Sequence, residues 1–423
     1  MVAGRGPSST LEFQPRPVPL TRGVASLRHR DFRLFWSGQL VSLVGTWMQV
    51  VAQSWLVLVL TGSPLALGVV SALQFLPILT LSVLGGVVAD RLPKRQVLLA
   101  TQSTAMLLAF ALALLTATGT VRLGQVLVLA VLLGVVSAVD LPTRQAFVVE
   151  LVGPGDLPNA IALNSAAFNS ARLVGPAVAG LAIGRVGLAG CFYINGLSFL
   201  AVIAGLLAVS AGREPVAQGM QRRSVWEDLH EGLTYAANTS PVRLVVLLVA
   251  AVATFGMNLG VLIPLLARDV LEVGAEGYGF LTSAMGVGSL AAALFLAFVG
   301  QTPRPSLLLG AAATLGVLEI ALAGIQQFGF AILALVGIGF AMIFFTTLAN
   351  TVLQSATPDA LRGRVMSLYA TVFAGTAPVG SLFAGALAEL WGVAVPIALG
   401  GFLSVGAALA GYAQVTTYRR QGR

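Results

Sequence analysis

Charge is what this sequence has least of. Only 9% of its 423 residues are Asp, Glu, Lys or Arg, against roughly 25% in soluble globular domains. So few charges cannot clothe a water-facing surface, and a 57% apolar content places most of the chain in lipid. Cysteine is nearly absent too. The single Cys191 excludes an internal disulfide framework and any multi-cysteine metal site. The only histidines, His29 and His230, stand far apart in polar segments, so neither a metal nor a cofactor is expected. No GxxxxGK[ST] phosphate loop, HExxH or GxSxG occurs, which argues against direct ATP use and against a membrane-embedded hydrolase. The first thirty residues are polar and rich in Arg and Pro. They lack the apolar core of a cleavable signal and read as a disordered tail.

What the chain does have is oily segments long enough to cross a bilayer, which takes about 20 residues each. Twelve qualify, near 33–60, 65–89, 97–119, 123–146, 159–184, 188–210, 242–267, 276–299, 306–326, 328–352, 363–388 and 393–415. The expected fold class is therefore an all-α polytopic membrane protein. Most connections are very short. The exception, 211–241, carries Arg213, Arg222 and Arg223 and then SVWEDLHEGLTYAANTSP. Its Trp226, Leu229, Leu233 and Tyr235 are spaced as one face of a surface helix, with Glu227, Asp228 and Glu231 opposite. The organisation expected is a tail (1–32), six spans (33–210), a linker with an amphipathic helix (211–241), six more spans (242–415) and a short tail (416–423).

The formal charge of +8 does not suggest nucleic acid, because the cations fall in the gaps between spans rather than in one basic groove. With the N-terminus inside, twenty basic residues lie on the inner side and only Arg122, Arg185 and Arg268 on the outer, with Arg172 inside a span. That bias predicts cytoplasmic termini, and a basic set that is all Arg but for Lys94, beside abundant Ala, Val, Leu and Gly, suits a bacterial inner membrane. The halves also echo each other. TGSPLALGVVSAL (61–73) resembles VGAEGYGFLTSAM (273–285), and Pro176 in span five has a counterpart in Pro378 of span eleven. Two echoes in the same order predict a duplication.

The densest charge cluster, GVVADRLPKR from Gly86 to Arg95, sits between spans two and three. Gly86 suits close helix contact there, and Asp90 is a short acceptor for helix N–H groups or for an Arg. The cations Arg91, Lys94 and Arg95 suit anchoring on anionic lipid. In span five, Ala171, Gly175, Pro176, Ala179 and Gly180 form a small-residue stripe around a proline, suited to tight helix packing.

These two patterns resemble those of the major facilitator superfamily. Gly86-x-x-x-Asp90-Arg91-x-x-Lys94-Arg95 matches its loop 2–3 motif with Pro93 where Gly is usual. Ala171-x-x-x-Gly175-Pro176-x-x-Ala179-Gly180 is similar to its exporter motif with two Gly replaced by Ala. LTGSPLALG (60–68) and DLPTRQA (140–146) resemble the branch of proton-linked drug antiporters and enterobactin exporters. The resemblance implies two pseudo-symmetric six-helix bundles rocking about a central site. It also implies that Asp90 latches the halves at the start of span eleven, where Arg362 and Arg364 are the candidate partners. A monomer exporting a small organic molecule in exchange for protons is the leading expectation. Proton-coupled or facilitated import on the same fold is the closest alternative, ahead of an enzyme or a signalling scaffold.

Ionisable residues deep in a bilayer cost about 2.5–3.5 kcal/mol on insertion scales and are functional candidates by default. Arg172 lies about 20 Å along span five. Asp140 and Arg144 are spaced to pair along one helix, and Asp140 is alternatively placed to reach Arg172. Asp140 is the first candidate for a proton-linked carboxylate, with a fixed salt bridge as the rival reading. Glu319 in span nine, which the resemblance makes peripheral, is the second. Among uncharged residues, Gln49, Gln53, Asn258 and Asn350 fall on the spans that line the cavity in this family, with Trp47, Met48, Phe255 and Met257 as an apolar wall. A cavity so lined suits a neutral or amphipathic molecule.

Overall fold

The computed structural model describes residues 25–210, 225–299 and 304–421. Residues 1–24, 211–224 with Arg213, Arg222 and Arg223, 300–303 and 422–423 lie outside the described residues. Among the described residues every regular element is helical. The first rods are α1 (Arg30–Thr61), α2 (Pro64–Arg91) and α3 (Lys94–Ala117). A continuous 86-residue helical run, Leu123–Ala208, turns at Gly153 and Gly187. Both glycines take φ near +70° (67° and 71°), a region closed to most side chains, and Pro154 follows the first as a helix-starting residue. The run is thus α4 (123–152), α5 (154–186) and α6 (188–208). A short linker helix, Val225–Asn238, precedes α7, which starts at Ser240 and ends at Val270. Then follow α8 (Gly274–Val299), α9 (Pro305–Ala323), α10 (Phe328–Ala356), α11 (Asp359–Trp391) and α12 (Ala394–Gln421). The twelve rods are the expected spans.

Sequence punctuation explains the tight turns. Gly62, at φ 65°, ends α1. Ser63 then caps α2, its hydroxyl accepting from the Ala66 N–H, with Pro64 at the first helical position. Gly274, also at φ 65°, stands at the matching turn before α8, so the sequence echo marks a repeated turn.

Glycines set which rods touch. In the first half Gly38 and Gly45 let α1 meet α6, Gly175 lets α5 meet α1, and Gly85 and Gly134 bring α2 and α4 together. Gly196 opens α6 to Phe110 of α3. The second half repeats the scheme six rods later. Gly400 joins α12 to α7, Gly380 joins α11 to α7, Gly288 and Gly339 join α8 to α10, and Gly316 joins α9 to α12. The halves meet through two symmetry-related pairs, α2 with α11 and α5 with α8. Side chains such as Phe298 (87% exposed), Leu333 and Leu409 cover the outside. So continuous an apolar exterior is a lipid-facing surface.

Candidate functional site

Let the near end be where α1 begins and α12 finishes, and the far end its opposite. A series of ties between the halves runs from mid-depth to the far end. Glu389 of α11 accepts from the Ser63 hydroxyl (2.7 Å) and the Leu65 N–H (3.1 Å) at the start of α2. Arg268 donates to the Gly62 carbonyl (3.2 Å), and Trp55 stacks on Tyr278 with centroids 6.0 Å apart. Deeper, Gly68 faces Ser381 and Gly385, while Gly279 faces Pro176 and Gly180. Ser283 then donates to the Leu173 carbonyl (3.0 Å). The span-five stripe is therefore a cross-half seam: Pro176 and Gly180 meet α8, Gly175 meets Trp47, and Ala171 and Ala179 are buried. The matching contacts make Ser381, one turn beyond Pro378, the structural counterpart of Pro176.

On the near side of this seam lies a cavity of about 700 Å³ between α5, α7, α10 and α11. Arg172 reaches it from the first half. Met257, Thr346, Thr347, Asn350, Gln354, Tyr369 and Phe373 line it from the second. Arg172 sits 5.7 Å over the Trp47 ring, a cation–π contact, and its Nε is buried without a hydrogen-bond partner among the described residues. The cavity thus carries a positive charge, against the expectation of an uncharged lining.

Asp140 does not join it. The carboxylate is 5% exposed and accepts from Thr101 (2.7 Å), Gln102 (2.7 Å) and Arg144 (Nε, 3.0 Å). The Asp140–Arg172 pair is not formed, because Asp140 faces α3 while Arg172 faces the cavity. Among the four expected lining residues Asn350 lines the cavity, beside Gln354. Gln49 accepts from Asn195 of α6 (2.6 Å) and Gln53 is buried in the packing. Asn258 donates to the Thr254 carbonyl (2.6 Å) and lies against Gly380. These three sit among rods, as amides that join helices do. Of the expected apolar wall, Met257 is in place, Met48 is in the core, and Phe255 packs edge-on against Phe383.

The loop 2–3 cluster also differs from expectation. Nothing approaches the position a Gly86 Cβ would take; the close contact falls one residue earlier, where Gly85 meets Ala138. Lys94 pairs with Glu150 at the end of α4. Arg95 donates to the Leu206 (2.6 Å) and Leu207 (2.8 Å) carbonyls that end α6, capping that helix with a cation. Both cations are spent inside the protein rather than on lipid. Asp90 and Arg91 are exposed in the last turn of α2. The candidate latch partners sit in ion pairs of their own, Arg362 with Asp359 and Arg364 with Glu231 of the linker helix.

One clamp was illegible in sequence. Ser26 donates through its N–H to Asn159 (2.8 Å) and through its hydroxyl to the Asp156 carbonyl (3.0 Å). The Asp156 carboxylate meets His29 and Arg28, each at 2.7 Å. Those hydrogen bonds, His29 first and Arg28 next, hold the Asp156 carboxyl below its ordinary value. Glu319, the other carboxylate expected to be buried, is 2% exposed inside the second half. No three His, Cys, Asp or Glu side chains converge as a metal site among the described residues.

Known proteins match this architecture along nearly its whole length. The family model described as transmembrane secretion effector covers residues 21–419. The staphyloferrin A transporter of Staphylococcus aureus is 24% identical over 371 residues, spanning 85% of this chain and 90% of the relative. The multidrug efflux pump Tap of Mycolicibacterium fortuitum is 28% identical over 362 residues, spanning 82% and 87%. Among solved structures, an inward-facing, unoccupied bacterial homolog of the human lysosomal transporter Spinster superposes with TM-score 0.68 at 14% identity, over 95% of this chain and 97% of that one. With the paired bundles, the seam and the cavity in place, the chain belongs to the transmembrane secretion effector family of the major facilitator superfamily, and is a multi-pass membrane transporter of small molecules rather than an enzyme.

Proposed function

We propose that the protein is a secondary active exporter, working by proton antiport with alternating access, of a small organic molecule that bears an anionic group. The observation that carries the substrate class is Arg172. A guanidinium in a cavity of about 700 Å³, stacked on Trp47 and without an acidic partner among the described residues, lacks a counter-charge. Desolvated cations are stabilised by an anion that fills this role. Hydroxyls and amides of Thr346, Thr347, Asn350 and Gln354, with Tyr369 and Phe373, complete a site for a polar, ring-bearing molecule. A siderophore or a drug with a carboxylate or enolate fits that description, in line with what the relatives are named for.

In this reading the near end is cytoplasmic and the membrane is the bacterial cell membrane. The ties at the far end then make this an inward-facing shape, and the opposite shape follows by rocking one half against the other. One charge crossing 100 mV supplies about 2.3 kcal/mol, enough to drive accumulation. The working unit is the monomer.

The test uses everted membrane vesicles with an acid interior and a mixed library of organic anions, neutrals and cations, read by mass spectrometry. Carboxylate-bearing members should accumulate. Arg172→Gln should lose them about tenfold or more, the worth of one charge-assisted bond of roughly 1.5–3 kcal/mol. Accumulation of cations alone, or of anions regardless of Arg172→Gln, contradicts the reading.

A further inference from the structure

The second half holds a buried acid that the cavity does not use. Glu319 of α9 is 2% exposed, and neither of its carboxyl oxygens has a hydrogen-bond partner among the described residues. The Ser404 hydroxyl of α12 is fully buried and equally unpartnered. Both face one point: a Cβ built on Gly256 would fall 2.7 Å from Ser404 Oγ and 3.2 Å from Glu319 Oε2. Gly256 is where α7 comes apart. Residues Ser240–Phe255 are helical, 256–258 are not, and the helix resumes at Leu259. Such a break frees backbone carbonyls at membrane depth, which is tolerated only where they face protein or a wet cavity.

The three unwound residues point three ways. Gly256 touches Glu319 and Ser404, Met257 lines the cavity, and Asn258 packs against Gly380 of α11. No other Asp, Glu, Lys, Arg or His occurs in 244–267 of α7, 305–326 around α9, 328–356 of α10 or 394–416 of α12. Arg243 and Arg304 stand at the near ends of these rods, and Arg268 and Asp269 at the far end of α7. The Tyr412 phenol of α12 belongs to an outward, 58% exposed side chain. An ionised carboxylate here would have no cation to meet, at a cost no membrane interior repays. The repeat sharpens the point. In the first half Gly45 faces Ser198 and Asn195, but there α1 is unbroken and the amides close on each other through Gln49.

We infer that Glu319, Ser404 and the unwound turn 256–258 of α7 form a proton-binding site whose occupancy is tied to the shape of that turn. Protonation takes one proton from cavity water onto a Glu319 oxygen and changes no other bond. Its return to water leaves a charge that the freed N–H groups of a reshaped turn must meet. As the coupling site of transport this rests on the antiport reading; as a protonation site it stands alone.

Infrared difference spectroscopy of the purified full chain at neutral pH tests it. The C=O stretch of a neutral carboxylic acid in an apolar setting should be present, lost in Glu319→Gln, and shifted in Ser404→Ala, which decides the matter alone if the first variant does not fold. Absence of the band, or indifference to both variants, overturns the site. So does loss of the band when choline is replaced by Na⁺ at constant pH, since the ligand is then a metal cation. If the band behaves as expected but an imposed pH gradient drives no accumulation in wild-type vesicles, the antiport reading fails and the site survives.

Discussion

Replacing Gly279 by Ala should open the far end. Its Cβ would fall 2.6 Å from the Pro176 carbonyl oxygen and 2.8 Å from the Gly180 Cα. Ordinary carbon contacts begin near 3.5 Å, so α5 and α8 must part by roughly 1 Å. Overpacking of this kind costs about 1–3 kcal/mol, and the cost is borne only while the seam is shut. Alanine's advantage over glycine within a helix, about 1 kcal/mol, is the same in both shapes and cancels. The equilibrium between far-closed and far-open should therefore shift by about 5- to 150-fold. Spin labels at Thr120→Cys and Gln326→Cys, in exposed far-end turns of the two halves, would report it once the buried Cys191 is replaced by Ala. Gly38→Ala is the control. Its Cβ would meet the Ala201 carbonyl at 2.5 Å, a contact as tight but confined to the first half. It should lower the melting temperature and leave the label distance alone. An unchanged distance in folded Gly279→Ala, or equal widening in Gly38→Ala, refutes the seam as the far gate.

Asp140→Ala strands the Arg144 cation and takes the acceptor from the Gln102 amide; a loss of about 3–5 kcal/mol is expected, read as a lower melting temperature in detergent and partly restored by removing Arg144 as well. Asp156 predicts an acid-side effect. Its carboxyl is depressed in the folded protein, so its contribution is intact above the ordinary value of 3.8 and fades as pH falls through the folded value. Amides of Ser26 to His29 should lose exchange protection on that acid limb, and Asp156→Asn should flatten the dependence. Glu389→Gln weakens two exposed charge-assisted bonds to α2, worth about 1 kcal/mol after screening. It should raise the far-open population a few-fold by the same label pair. Finally, amides of α7 around 256–258 should exchange before those of the unbroken α1 at matching depth, as hydrogen-exchange mass spectrometry can read.

How much of this was legible beforehand follows from what lipid does to a sequence. The rods could be seen because a span must be apolar throughout. The turns could be seen because the apolar runs are interrupted there, at breaks where Gly62, Gly153 and Gly187 take a backbone that other residues resist. Which face of a rod meets a neighbour is another matter. Lipid is as apolar as a protein core, so no stripe of polarity records the rotation. That is why the close contact expected at Gly86 falls at Gly85, one residue and about 100° away. For the same reason Gln49, Gln53 and Asn258 were assigned to a cavity that of the four only Asn350 lines. Partners distant in sequence were equally hidden. Arg95 caps a helix more than a hundred residues later, and Glu150 had no reason to be matched with Lys94. Arg172 was found because a charge in a span is conspicuous whatever its rotation; whether Asp140 turns to Arg144 or to Arg172 was left open because rotation decides it.

The duplication makes a last distinction physical. Two halves that share a contact scheme should share their stiffness unless particular residues break the likeness. Three buried clusters of the first half close on themselves: Asp140 with three donors, Asn195 with Gln49 and Ser198, Lys94 with Glu150. Moving any of them strands a desolvated group, so α1, α3, α4 and α6 resist relative motion. The second half leaves Glu319 and Ser404 open beside a rod already unwound, and reshaping the turn there breaks no side-chain network. Rocking of two rigid bodies would be served equally by either half. If the second half bends at 256–258 and the first does not, the internal rearrangement belongs to α7. Such a bend puts that rearrangement where Met257 meets the cavity and Asn258 meets α11, the rod that carries the seam with α2.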